Sequence, residues 1–164
     1  MIAITGHTSG LGKALYEKTQ AIGFSKSTGF DITKKEDRNK IIDMSNDCNV
    51  FINNAYDGYG QLDLLYDLYS AWKDDSNKTI VTIGSLASNA AEWRLKPCKY
   101  STIKKALDVA TYQLVNSHHR KCKLMIFKPG YLGNDAIPYE YAAQKLYNAI
   151  LTNDYETIEI TLRS

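Results

Sequence analysis

An apolar strand that runs straight into a glycine-rich turn constrains this chain more than any other feature. Met1-Ile2-Ala3-Ile4-Thr5 is a short apolar run with β-branched residues, and Gly6-His7-Thr8-Ser9-Gly10-Leu11-Gly12 follows it directly. Leu11 to about Lys18 then reads as a helix with Leu11, Leu15 and the stem of Lys18 on one side. Strand, glycine turn and helix in that order aim backbone N–H groups and the positive end of the helix at a phosphate-bearing ligand. Gly6 permits the turn, Gly10 admits the backbone to the phosphate, and Gly12 lets the helix pack closely on the sheet. A tight turn that binds nothing has the same composition, so the rest of the chain must decide.

The remaining elements alternate. Thr19 to Phe24 reads as a second strand, because Gly23 weakens a helix and Ser25-Lys26-Ser27-Thr28-Gly29 follows as a loop. Thr33 and Glu36 have the spacing of a capping box, with Ile32 placed to staple a helix reaching about Asn46. Asn49 to Asn53, Lys78 to Gly84 and Lys123 to Phe127 read as strands. Helices are expected over Gln61 to Lys73, Tyr100 to about Asn116 and Tyr139 to Leu151, and a terminal strand over Thr157 to Arg163. Strands that are continuous apolar runs, alternating with helices, predict an α/β fold: one parallel sheet covered on both faces. With 164 residues and no linker or repeat, the chain reads as one domain, long enough to bury about 70% of its unfolded surface.

Composition excludes several classes of partner. The net charge is +2 and the basic residues are scattered, which argues against nucleic acid and against an acidic membrane surface. Cys48, Cys98 and Cys122 are odd in number and lack C-x-x-C spacing, so free thiols are expected rather than disulfides or a zinc site. No apolar run approaches the length of a membrane span. The first residues enter a strand without a basic, signal-like region. These features point to a cytoplasmic protein.

Tyr100 and Lys104 are four apart on a predicted helix and therefore share a face. An ammonium about 4 Å from a phenolate, at an effective dielectric of about 20, attracts it by about 4 kcal/mol. That lets a phenol exchange protons nearer neutral pH. The spacing is not distinctive, since Tyr69 with Lys73 and Tyr141 with Lys145 repeat it. Order along the chain selects the middle pair: it follows a strand ending in Ile83-Gly84-Ser85 and precedes one ending at Pro129-Gly130.

The succession Thr5-Gly6-His7-Thr8-Ser9-Gly10-Leu11-Gly12, Asp31-Ile32-Thr33, Asn53-Asn54-Ala55, Ile83-Gly84-Ser85, Tyr100-Ser101-Thr102-Ile103-Lys104 and Pro129-Gly130 resembles the short-chain dehydrogenase/reductase family over nearly the whole chain. The resemblance implies a Rossmann-type, doubly wound three-layer domain spanning residues 1–164 that binds NAD or NADP and acts on a small carbonyl or alcohol. It assigns Gly6, Thr8, Ser9, Gly10, Leu11 and Gly12 to the pyrophosphate loop. It places Asp31 and Ile32 at the adenine, Asn54 and Ala55 near its ribose, and Pro129, Gly130 and Leu132 at the nicotinamide. It gives Tyr100 the role of general acid or base and a place among the cofactor contacts, Lys104 that of tyrosine modulator and ribose contact, and Ser85 that of hydrogen-bond donor to the substrate oxygen. Ser88 is a rival serine, but Ser85 holds the family's place after Ile-Gly. With Asp31 on the adenine side, Ser25, Lys26 and Ser27 face the 2′ position. A cation and hydroxyls suit a phosphate there, so NADP is expected over NAD.

The chain also departs from the family. Tyr56 stands where glycine usually follows Asn-Asn-Ala, and Gln61 is the nearest match for an additional active-site asparagine. The segment between Pro129 and the last helix is far shorter than in typical members. A reduced lid suits a small substrate, and it equally suits a nucleotide-binding sensor without turnover. Leu62, Leu65, Tyr66, Tyr69 and Trp72, widened by Leu64 and Leu68, give the Gln61 to Lys73 helix a broad apolar arc. Either burial or a two-fold interface accounts for the arc, and the resemblance favours a homodimer or homotetramer.

Overall fold

The computed structural model describes residues 1–91, 96–133, 135–152 and 158–163. Six parallel strands form one sheet: β1 (Ile2–Thr5), β2 (Ile22–Phe24), β3 (Val50–Asn53), β4 (Thr79–Ile83), β5 (Lys123–Pro129) and β6 (Glu159–Leu162), in the order β2-β1-β3-β4-β5-β6. The helices are α1 (Gly10–Thr19), α2 (Lys35–Met44), α3 (Gly60–Trp72), α4 (Lys99–Val115) and α5 (Tyr139–Leu151). This is the Rossmann-like, doubly wound α/β arrangement. The winding direction reverses between β1 and β3, which opens a crevice above their carboxyl ends.

Alternation along the strands explains why they read as unbroken apolar runs. Ala3, Phe51, Ile80 and Leu124 point to one face, where Leu64, Leu65, Leu68 and Trp72 of α3 meet Leu107 and Leu114 of α4. Their neighbours Ile4, Ile52, Val81 and Met125 point to the other, against Leu11 and Leu15 of α1 and Ala142 and Leu146 of α5. Each fully buried large side chain, such as Phe51 or Leu64, contributes about 1.5–3 kcal/mol. The apolar arc of α3 is thus mostly spent inside the molecule, with Leu62 and Tyr69 half-buried and Tyr66 exposed.

Two local expectations change. The segment from Thr19 is not all strand. Thr19 ends α1 with its hydroxyl bonded to the Leu15 carbonyl, and Gln20 closes the helix in the left-handed conformation at φ 51°, so β2 begins only at Ile22. The capping box at Thr33 does not form either. Asp31 intercepts Thr33, taking its N–H and its hydroxyl on one carboxylate oxygen at 3.0 and 2.6 Å, and α2 starts after Lys34. Local side-chain bonding of this kind competes with capping. A capping box occurs earlier instead, between Ser25 and Thr28 on a short 3₁₀ turn (Lys26–Thr28). In the terminal strand, Thr157 lies outside the described residues, and Glu159–Leu162 pairs in parallel with β5.

Candidate functional site

Two adjoining cavities lie over the carboxyl ends of the strands. The first, of about 480 Å³, is lined by Gly6, Thr8, Ser9, Leu11 and Gly12 from the glycine turn, by Phe24 at the end of β2 and Ser25, Lys26 and Ser27 after it, by Phe30, Asp31 and Ile32, and by Asn54, Ala55, Tyr56 and Asp57 after β3. The turn is built for close approach. Gly6 has φ +72°, and a methyl group on Gly12 would sit 2.0 Å from the Gly6 carbonyl oxygen. Asn54 locks β3 to β1: its amide nitrogen donates to the carbonyls of Thr5 and Gly6, and its backbone N–H donates to the Thr5 hydroxyl. Gly10, at φ +52°, begins α1 and lies outside this lining, backed by the Tyr139 ring.

Lys26 reaches across the cavity mouth to two carboxylates, Asp57 at 3.0 Å and Asp31 at 3.2 Å. These acids hold its ammonium above the ordinary lysine pKa, with Asp57 the larger cause. The hydroxyl and N–H of Thr33 pull Asp31 down to about 2. Lys26 thus lines this cavity with its ammonium already paired.

The second cavity, of about 730 Å³, gathers Ser85, Tyr100 and Lys104 with Pro129, Gly130 and Leu132. Tyr100, on the first turn of α4, is 38% exposed and faces it. Lys104, one turn on, is 3% exposed, and its ammonium lies over the Tyr100 ring at 5.7 Å from the centroid. Two acceptors fix that ammonium: the Gln61 side-chain oxygen and the Ile83 carbonyl, each at 2.8 Å. Desolvation pushes the Lys104 pKa down to about 8, against the opposing pull of the Asp108 carboxylate. Gln61 is itself buried and clamped, donating to the carbonyls of Asn53 and Ile83.

The two serines separate by environment. The Ser88 hydroxyl is fully buried between the Ser85 carbonyl and the Asp108 carboxylate. Ser85 lines the cavity, and its oxygen accepts the Ala87 N–H at 3.1 Å, which leaves the hydroxyl proton available to a ligand. Asp108 and Lys128 form a buried ion pair at 2.7 Å, and Lys128 also donates to Asn89. That pair ties the 3₁₀ turn after Ser85 (Leu86–Ala90) to α4 and β5.

Sequence reasoning did not assign Phe24, Phe30 and Asp57 to the first cavity, nor Leu86, Ala87, Ala90, Tyr131 and Tyr139 to the second. Asp57 was within reach, since it follows Asn54-Ala55-Tyr56 directly. Tyr139 comes from a distant helix and carries no local signal. His7 packs between Gly23 and the Tyr16 ring, a structural position. Cys98 lines the second cavity and accepts a hydrogen bond from Ser101. Among the described residues no cluster of His, Cys, Asp or Glu is arranged for a metal ion, and no helix is long and apolar enough to cross a membrane.

No family model matches the sequence, and no curated protein matches it. Solved structures do match. A short-chain dehydrogenase/reductase from Vibrio parahaemolyticus superposes with a TM-score of 0.75 at 16% identity, over 99% of this chain and 99% of that one. The 3-alpha-hydroxysteroid dehydrogenase of Pseudomonas sp. B-0831, solved with NADH, gives 0.72 at 18% identity over 99% and 95% of the two chains. The alcohol dehydrogenase of Thermococcus sibiricus, solved with 5-hydroxy-NADP, gives 0.71 at 14% identity over 99% and 96%. The fold is that of the short-chain dehydrogenases/reductases, at identities that speak for the fold alone.

Proposed function

We propose that this chain is an NAD(P)-dependent oxidoreductase that interconverts a carbonyl and an alcohol on a small substrate. One observation carries the reading: Ser85, Tyr100 and Lys104 line a single cavity that adjoins the glycine-turn cavity. The first cavity suits the adenosine and phosphate part of a dinucleotide, and the second the nicotinamide end. The floor of the first is the glycine turn, packed so closely that a Cβ at Gly12 would sit 2.0 Å from the Gly6 carbonyl oxygen, and the N-terminus of α1 would face the phosphates. When bound, the nicotinamide supplies or accepts the hydride.

The chain's own residues handle the proton. Tyr100 gives its hydroxyl proton to the carbonyl oxygen in reduction and takes it back in oxidation. Ser85 donates a hydrogen bond to the same oxygen as negative charge develops there. Lys104 holds positive charge beneath the phenol, steadied by Gln61 and Ile83. Tyr100→Phe should lower turnover by about 10²–10⁴-fold, read from reduced-nicotinamide absorbance with small aldehydes and ketones. Turnover that survives the substitution would refute the assignment.

A second reading has its own support. Only residues 130–138 connect β5 to α5, and the Tyr56 ring stands against Tyr100, at 5.0 Å between ring centroids. Both features suit a sensor that binds the nucleotide without turnover, and cofactor binding with no activity on any carbonyl would favour it. For the cofactor, Ser25, Lys26 and Ser27 at the first cavity support NADP. Lys26→Ala should reduce the preference for NADP over NAD, and Asp57→Asn should increase it by removing one of the two carboxylates paired with the ammonium. A Lys26→Ala protein with unchanged preference would overturn the NADP assignment.

A further inference from the structure

We infer that Tyr56 is a movable partition that a dinucleotide must displace to reach the catalytic residues, so that it sets the affinity for the whole dinucleotide and not for its adenine half alone. Three residues, Leu11, Asn54 and Tyr56, line both cavities and so form the passage between them. Leu11, on the first turn of α1, is fixed in the core, and the Asn54 amide is committed to the carbonyls of Thr5 and Gly6. Tyr56 is the exception. It is 43% exposed, and among the described residues only ring contacts hold it. Its ring meets Tyr100 edge-on at 5.0 Å between centroids and lies 5.4 Å from the Lys104 ammonium. This ring therefore stands against both the phenol assigned the proton chemistry and the cation that supports it. A ligand that continues from the first cavity into the second has to turn the ring aside and break both contacts.

This inference rests on the dinucleotide reading, and a comparison of whole cofactor with fragment separates the two. The probes are NADP, NAD and AMP, the last confined to the first cavity, titrated against wild type, Tyr56→Ala and Tyr56→Phe. Losing the ring contacts that wild type must break should make Tyr56→Ala bind both dinucleotides about tenfold more tightly. AMP affinity should stay the same, and Tyr56→Phe should match wild type, because the ring and not the hydroxyl forms the partition. If Tyr56→Ala leaves the dinucleotide affinities unchanged, or shifts AMP by the same factor, this inference fails alone. If none of the three probes binds any form, the cofactor reading fails and takes the inference with it.

Discussion

Burial of the Lys104 ammonium sets a pH dependence that can be worked out in sign. Its pKa falls from the ordinary 10.5 to about 8 because desolvation disfavours the charged form. Between those values the unfolded chain holds a proton that the folded chain has released. Stability from this group therefore rises as pH climbs from about 8 towards 10.5, and below about 8 the full cost of burying the charge is present. Activity should run the other way. Once Lys104 is neutral it no longer supports the Tyr100 phenol, so kcat/KM should fall above about pH 8. Gln61→Leu, which removes one acceptor of the ammonium, should move that limb to lower pH, and an unmoved limb would disconnect Gln61 from Lys104. At the glycine turn, Gly12→Ala should destabilise by about 1–3 kcal/mol or more, since the new methyl meets the Gly6 carbonyl oxygen at 2.0 Å. Urea unfolding reads that loss.

At the scale of elements, the site depends on how α4, β5 and the turn after β4 are joined. The Asp108–Lys128 pair sits in the core with both side chains 5% exposed, and the Ser88 hydroxyl is bonded to the same carboxylate. Removing one partner strands the other charge. Lys128→Met should cost about 3–5 kcal/mol in urea unfolding, and the double variant Lys128→Met with Asp108→Leu should recover most of it. A double variant no more stable than the single one would show that the pair is not what holds the turn. Helix α5 was legible from residue pattern alone, over the same Tyr139–Leu151 span. The start of α2 was not. Thr33 and Glu36 have capping spacing, but spacing does not reveal that the Asp31 carboxylate reaches Thr33 first.

For the whole molecule, the exposed apolar residues Tyr66 of α3 and Val109 of α4 are candidates for a two-fold contact, with half-buried Leu62 and Tyr69 also on α3. Light scattering at micromolar concentration should give a homodimer or homotetramer mass, and a monomer mass would refute the expectation. The sequence by itself determined the order of strands and helices, the parallel sheet and the glycine turn. These depend on local periodicity and on glycine's freedom from a Cβ, both written residue by residue. It also named Ser85, Tyr100 and Lys104 from their order along the chain. Only the tertiary structure buried the Ser88 hydroxyl beside Asp108 and left Ser85 on the second cavity, because that burial is a property of packing across three elements. The same holds for Lys26, whose pairing with Asp57 joins two loops distant in sequence. It holds too for Tyr56, which becomes a partition only when the ends of β1 and β3 bring two cavities side by side. Contacts between distant segments arise from the closure of the sheet, and no stretch of the chain encodes them alone.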